Sequence, residues 1–369
     1  MKKILYYFKH EVVLTVALVA ALASFLLVPP GAHTLAGIDT TTLLMLFSLM
    51  TIVAGFRHMG AFDKLAGAVT GRIRTLRGLA MALVTACFLL AMVATNDVAL
   101  ITLVPFTILL MRGAKVQHLT ITVVLETIAA NLGSMVTPIG NPQNLYLYSS
   151  GRMAALEFPV RTAFYAVLAY DLLMLCCLLI PKTAVQSAEA PNDKLPVRKL
   201  WLYAALAVVV LLALCEVIPA WLLALVVAVA VFVMDRPVLK QVDYTLLATF
   251  VCFFVFVASV KAYGPISAWL EGLMAASPLL TSLLVSQVIS NVPACLLLSP
   301  FTRSTSALML GVNIGGLGTI VASLASLISF RLYGAAQGAR KGLFMGIFTA
   351  MNLLFLAAML LLAWALGAI

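Results

Sequence analysis

Long apolar runs recur along nearly the whole chain, and most approach the roughly 20 residues a helix needs to cross a bilayer core about 30 Å thick. A chain of this length in water needs polar surface to cover its core. Here 64% of the 369 residues are hydrophobic and only 10% are charged. Alternating strand segments of about ten residues are absent, which argues against an outer-membrane barrel. The fold class expected is an all-α polytopic membrane protein. The formal net charge of +10 is explained by basic loops that orient the helices, so no nucleic-acid partner is expected. The six cysteines all lie in apolar segments without metal-ligand spacing and read as small hydrophobes. Met1-Lys2-Lys3 precedes the first run without a small-residue cleavage site, so that run reads as a retained helix.

Uninterrupted spans are expected at 12–27, 41–55, 158–180, 200–215, 221–234, 244–260 and 344–366. Two regions differ. Residues 80–110 are interrupted by Thr95-Asn96-Asp97, and residues 279–301 by Ser290-Asn291 and Pro293. Each is followed by a second interrupted segment, 120–149 and 306–330, broken by glycine, proline and small polar residues. Breaking a helix in lipid strands backbone N–H and C=O groups, which is tolerated only where protein, water or a ligand satisfies them. These interruptions are therefore site candidates. The one long polar stretch, 181–198 with Pro191, Asn192, Asp193 and Pro196, reads as a linker near the middle of the chain.

The interruptions repeat. Asn96 and Pro105-Phe106 match Asn291 and Pro300-Phe301 at an offset of 195, while Asn131-Leu132-Gly133 with Thr137 matches Asn313-Ile314-Gly315 with Thr319 at an offset of 182. At the second offset Asn141 and Asn144 fall on Ser323 and Ser326. This order of elements predicts an internal duplication. If each interrupted stretch at 80–110 and 279–301 is a re-entrant hairpin, each half crosses four times and the 200–215 helix inverts the second half. With the N-terminus inside, 19 of the 23 Lys and Arg fall in cytoplasmic loops; only Arg152, Arg161, Lys261 and Arg303 fall outside. The predicted organisation is a first transmembrane repeat at 1–180, a cytoplasmic linker and linking helix at 181–217, and a second, inverted repeat at 218–369. Each repeat carries a re-entrant hairpin and a discontinuous helix.

The candidate chemistry lies at the breaks. Thr95, Asn96 and Asp97 put hydroxyl, amide and carboxyl groups in an apolar setting, where helix ends offer N–H groups to an anion and carbonyls to a cation. A carboxyl there must be protonated, cation-bound or facing water, which makes Asp97 the candidate coupling-ion or proton site. Ser290 and Asn291 form the second tip, with Val292 where the first has the acid. In the segment from Gly133 to Asn144, Gly133 and Gly140 permit close backbone approach and Pro138 and Pro142 force extended geometry before them. Ser134, Thr137, Asn141 and Asn144 then supply neutral donors and acceptors. Its counterpart, Gly315 to Thr319, keeps glycines and a hydroxyl but has no proline. The expected substrate ligands are Thr95, Asn96, Thr137, Asn141, Asn144, Ser290, Asn291 and Thr319. The expected coupling-ion or proton ligands are Asp97, Gly133, Ser134 and Gly315. Glu126 and Asp171 are further acids within spans, equally consistent with coupling or with a structural hydrogen bond. No motif for nucleotide or peptide hydrolysis is present, so no enzyme activity is expected.

At these motifs the sequence resembles the ion-transporter superfamily of citrate and divalent-anion symporters, arsenite permeases and one class of sodium–proton antiporters, and in particular the YbiR-like bacterial inner-membrane proteins. The resemblance is carried by Thr95-Asn96-Asp97-Val98-Ala99-Leu100 and by the run from Gly133 through Thr137-Pro138-Ile139-Gly140-Asn141-Pro142-Gln143-Asn144. It implies two inverted repeats whose hairpin tips and broken helices meet at one central site. It also implies substrate carboxylates at the tips, with a sodium ion beside them; Asn96, Asp97 and Thr137 are the candidate sodium neighbours. Asp97 and Val292 depart from the Ser-Asn-Thr tips of the divalent-anion symporters, which favours a proton, a cation or a weakly charged oxyanion. The expectation is a multi-pass protein of the bacterial inner membrane, with a cytoplasmic N-terminus, that carries a small anion by ion-coupled alternating access. A sodium–proton antiporter and the membrane component of an arsenite-type efflux pump are the alternatives, and a homodimer is left open. No cofactor is expected beyond the candidate sodium ion.

Overall fold

Residues 11–70, 73–184 and 195–369 are described in a computed structural model of the chain. Lys2, Lys3, Lys9, Arg72, Pro191, Asn192, Asp193 and Lys194 lie outside them. The described residues form helices, with no strand beyond an isolated bridge between Thr75 and Ala184. In the first half these are α1 (Val12–Ser24), α2 (Ala32–Ala36), α3 (Thr40–His58), α4 (Ala61–Thr70), α5 (Leu76–Ala94), α6 (Asn96–Leu110), α7 (Val116–Ser134), α8 (Pro142–Ser149) and α9 (Glu157–Cys177). Then come α10 (Val197–Leu214), α11 (Ala220–Met234), α12 (Tyr244–Ala262), α13 (Gly264–Ala276), α14 (Pro278–Ile289) and α15 (Asn291–Leu298). The chain finishes with α16 (Thr305–Ile314), α17 (Leu324–Gly334) and α18 (Lys341–Ala365). Among the described residues six helices are long and apolar enough to cross a membrane: α3, α5, α9, α10, α12 and α18.

Helix starts recur in matching places. Asp39 caps α3 by accepting from the Thr42 N–H, and Asp243 caps α12 by accepting from the Leu246 N–H. Thr75 and Ser277 cap α5 and α14 in the same way, each accepting from the N–H three residues on. The sequence predicted a polar tip several residues wide in each hairpin, but each break is a single residue. Thr95 alone separates α5 from α6, and Ser290 alone separates α14 from α15. Pro293 therefore does not interrupt a helix; it sits in the first turn of α15, where its missing N–H costs no hydrogen bond.

Packing between the halves is reciprocal. The first described helix of each lies on the other half, α1 against α12 and α11 against α3. Likewise α6 packs on α17, and α15 packs on α8. Helix α7 is the centre of the bundle, with residues 120–134 buried on every side. It packs against α5, α6, α9, α17 and α18. This brings the two helix breaks, residues 135–141 and 315–323, together across the bundle, with Thr319 and Val321 of the second at an exposed edge.

Candidate functional site

Both hairpin tips are held in the same way. Thr95 and Ser290 have φ of 72° and 75°, a backbone region that side chains other than hydrogen rarely enter. The next residue anchors each tip to a helix break: Asn96 N–H donates to Gly140 O at 3.0 Å, and Asn291 N–H donates to Ala322 O at 2.9 Å. A threonine from each break returns the bond, Thr137 Oγ1 to Met92 O at 2.5 Å and Thr319 Oγ1 to Gln287 O at 3.0 Å. The tip residues are 195 apart (96 to 291, 92 to 287) and the break residues 182 apart (140 to 322, 137 to 319). These are the two offsets read from the sequence, so the duplicated motifs make duplicated contacts.

The stranded groups of each break find different partners. In the first, Asn144 Nδ2 donates to Met135 O at 3.1 Å and to Thr137 O at 3.0 Å, while Asn141 caps α8 through the Asn144 N–H. In the second, Gln287 takes over: Nε2 donates to Gly315 O at 2.8 Å and Leu317 O at 2.9 Å, and Oε1 accepts from the Thr319 N–H. Ser326, the counterpart of Asn144, is too short for this role and leaves its hydroxyl buried without a partner.

The two breaks are then clasped to each other. Asn141 Nδ2 donates to Asn313 Oδ1 at 2.9 Å, Asn313 Nδ2 donates to Asn144 Oδ1 at 2.8 Å, and Ser323 Oγ donates to Asn131 Oδ1 at 2.9 Å. Each half thus offers an asparagine from its broken helix to the other half's break. Glycine allows close packing within the first half. A Cβ on Gly133 would stand 2.3 Å from Phe88 O, and one on Gly140 would stand 2.1 Å from Ser134 O. Ser134 Oγ itself accepts from Asn141 Nδ2 and donates to Asn131 O.

A cavity of about 350 Å³ opens beside the first tip and first break. Of the expected site residues, Thr95, Asp97 and Asn141 line it; Asn96, Thr137, Asn144, Ser290, Asn291, Thr319, Gly133, Ser134 and Gly315 do not. The remaining walls include Arg57 from α3 and Gln241 and Asp243 from the turn before α12. Asp97 Oδ1 is buried without a hydrogen-bond partner. A carboxyl with an orphaned oxygen, in a cavity that Thr95 also lines, fits a proton or a hard cation. Arg57 is the one basic wall residue, and it forms no ion pair; among the described residues the ion pair is Lys199–Asp235. Glu126 is fully buried away from the cavity, accepting from Thr107 Oγ1 at 2.5 Å, with Oε2 unpartnered. Asp171 is exposed on α9. Sequence reasoning missed Gln287, Asn131, Asn313 and Arg57 as functional side chains. The asparagines stood out only as repeat markers, and Arg57 only as an orienting charge.

A helical bundle with two hairpin tips, each tied to a broken helix, and a cavity with a few polar groups beside the first pair is the architecture of a membrane transporter. Residues 5–309 match the family described as Citrate transporter, and the chain belongs to that family. It is 35% identical over 304 residues to the inner membrane protein YbiR of Escherichia coli, covering 80% of this chain and 81% of that protein. An uncharacterized transporter of Methanocaldococcus jannaschii is 29% identical over 330 residues, covering 89% and 91%. The silicon efflux transporter LSI3 of Oryza sativa subsp. japonica is 29% identical over 145 residues, covering 39% of this chain and 30% of LSI3. The fold is similar to that of the YdaH transporter of Alcanivorax borkumensis, with a TM-score of 0.59 at 14% identity, covering 91% of this chain and 87% of that one.

Proposed function

We propose that the protein is an ion-coupled secondary transporter of a small oxyanion or oxyacid in the bacterial inner membrane, with Asp97 as the coupling site. The single observation that carries this reading is the unpartnered Asp97 Oδ1 in a cavity that also holds the Thr95 hydroxyl and Arg57. Asp97 takes a sodium ion or a proton, and Arg57 supplies the cation that draws in the anion. The two halves are inverted repeats in this reading, and alternating access moves the hairpins and clasped breaks past α3 and α12. The family name points to citrate and the name of LSI3 to silicon; the acid at the first tip favours a substrate less charged than citrate.

A second reading, sodium–proton exchange without an organic substrate, draws on the wall charges: two acids, Asp97 and Asp243, face one base, Arg57. Flux in proteoliposomes separates the two. Uptake of a labelled oxyanion driven by a sodium or proton gradient supports the first. Sodium-driven proton movement with no anion requirement overturns it in favour of the second.

A further inference from the structure

A second cavity, of about 580 Å³, lies at the opposite end of the first hairpin from its tip. Its walls come from the start of α5 (Leu76), the turn between α6 and α7 (Leu110 to Lys115, with His118 on α7) and the residues after α9 (Pro181, Thr183 and Ala184). The base is fixed by two kinds of contact: Leu76 N–H donates to Thr183 O at 2.8 Å, and the Arg77 guanidinium donates through Nε to Ile180 O at 2.7 Å and through Nη2 to Leu178 O at 3.0 Å. The volume falls within the roughly 300–1,000 Å³ typical of small-ligand sites.

Arg112, Lys115 and His118 all line this cavity, and among the described residues no wall residue is acidic. None of the three side chains forms an ion pair or hydrogen bond among the described residues. Lys115 is also the N-cap residue of α7, where the positive end of the helix dipole adds to the local charge instead of offsetting it. Three basic groups on one cavity, with no acid among the described wall residues, suit an anion. The surroundings select its source. The cavity sits where apolar helices end, the depth of lipid headgroups, and Leu109, Leu175, Leu178 and Leu179 nearby are exposed by 47%, 59%, 48% and 60%.

We propose that this cavity binds the phosphate headgroup of an anionic phospholipid, with Arg112, Lys115 and His118 as its ligands and the neighbouring leucines against its acyl chains. The site is separate from the transport cavity and stands whatever the substrate is. The test uses full-length protein in neutral detergent, titrated with phosphatidylglycerol, with phosphatidylcholine and with inorganic phosphate, reading the thermal midpoint of the monodisperse protein and bound lipid by native mass spectrometry. Phosphatidylglycerol should raise the midpoint and remain bound, and Arg112→Gln with Lys115→Gln should weaken its apparent affinity roughly tenfold or more. Arg340→Gln with Lys341→Gln, which removes equal charge from another exposed turn, should leave it unchanged. Arg112→Gln alone is the milder variant if the pair folds poorly. Equal loss in both double variants, or equal stabilisation by phosphatidylcholine, overturns the site. Stabilisation by inorganic phosphate without retained lipid overturns the lipid assignment.

Discussion

Thr95 and Ser290 sit where glycine is the usual occupant, at a strain of about 1–3 kcal/mol each. Ser290 bonds weakly through its side chain, at 3.4 Å to Ala322 O, so Ser290→Gly relieves more than it removes. That variant should melt no lower than the parent; a fall of several degrees would show that the serine backbone is not strained. The asparagine clasp predicts the opposite sign. Asn313→Ala leaves Asn141 Nδ2 short of one partner and Asn144 Oδ1 without one in a buried site, a cost of about 1–3 kcal/mol. A lowered melting midpoint in detergent checks it, and an unchanged one contradicts the pairing. Gly133→Ala is worse placed, because the Cβ meets a backbone carbonyl of α5 that no rotamer change can move.

At the scale of elements, the two hairpin–break units share their anchors but not the residue that satisfies the break. Gln287→Met gives the second unit the residue that the first has at Met92. It should abolish transport and lower stability, since Gly315 O and Leu317 O lose their donor and the Thr319 N–H loses its acceptor. Transport at the parent rate would show that water replaces Gln287 without penalty. The same contrast explains what could be read from the sequence. Polar residues inside apolar runs cost too much to be accidental, so both hairpins and both broken helices were legible, as was the pairing of Asn96 with Asn291. Which side chain meets which was not legible: Asn141 and Asn313 are 172 residues apart, and only the fold brings them together. Thr137 and Thr319 read as substrate ligands because they are hydroxyls at breaks, yet those hydroxyls bond Met92 O and Gln287 O. Arg57 was hidden by its position at a helix end, where orientation alone accounts for a positive charge.

For the whole molecule, the bias of basic residues predicts which ends of the helices share a side of the membrane. In a background lacking the native cysteines, Arg303→Cys should react with an impermeant maleimide from outside intact cells, and Arg340→Cys only after permeabilisation. The reverse pattern would invert the expected topology. Neither outcome touches the central assignment, that ion coupling runs through Asp97. The most direct test is gradient-driven uptake in proteoliposomes by the parent and by Asp97→Asn, which keeps the size and removes the ionisable group. The account predicts that the parent concentrates its substrate only under a sodium or proton gradient, and that Asp97→Asn loses this accumulation by at least tenfold while remaining folded and monodisperse. Undiminished gradient-driven accumulation by Asp97→Asn would contradict it.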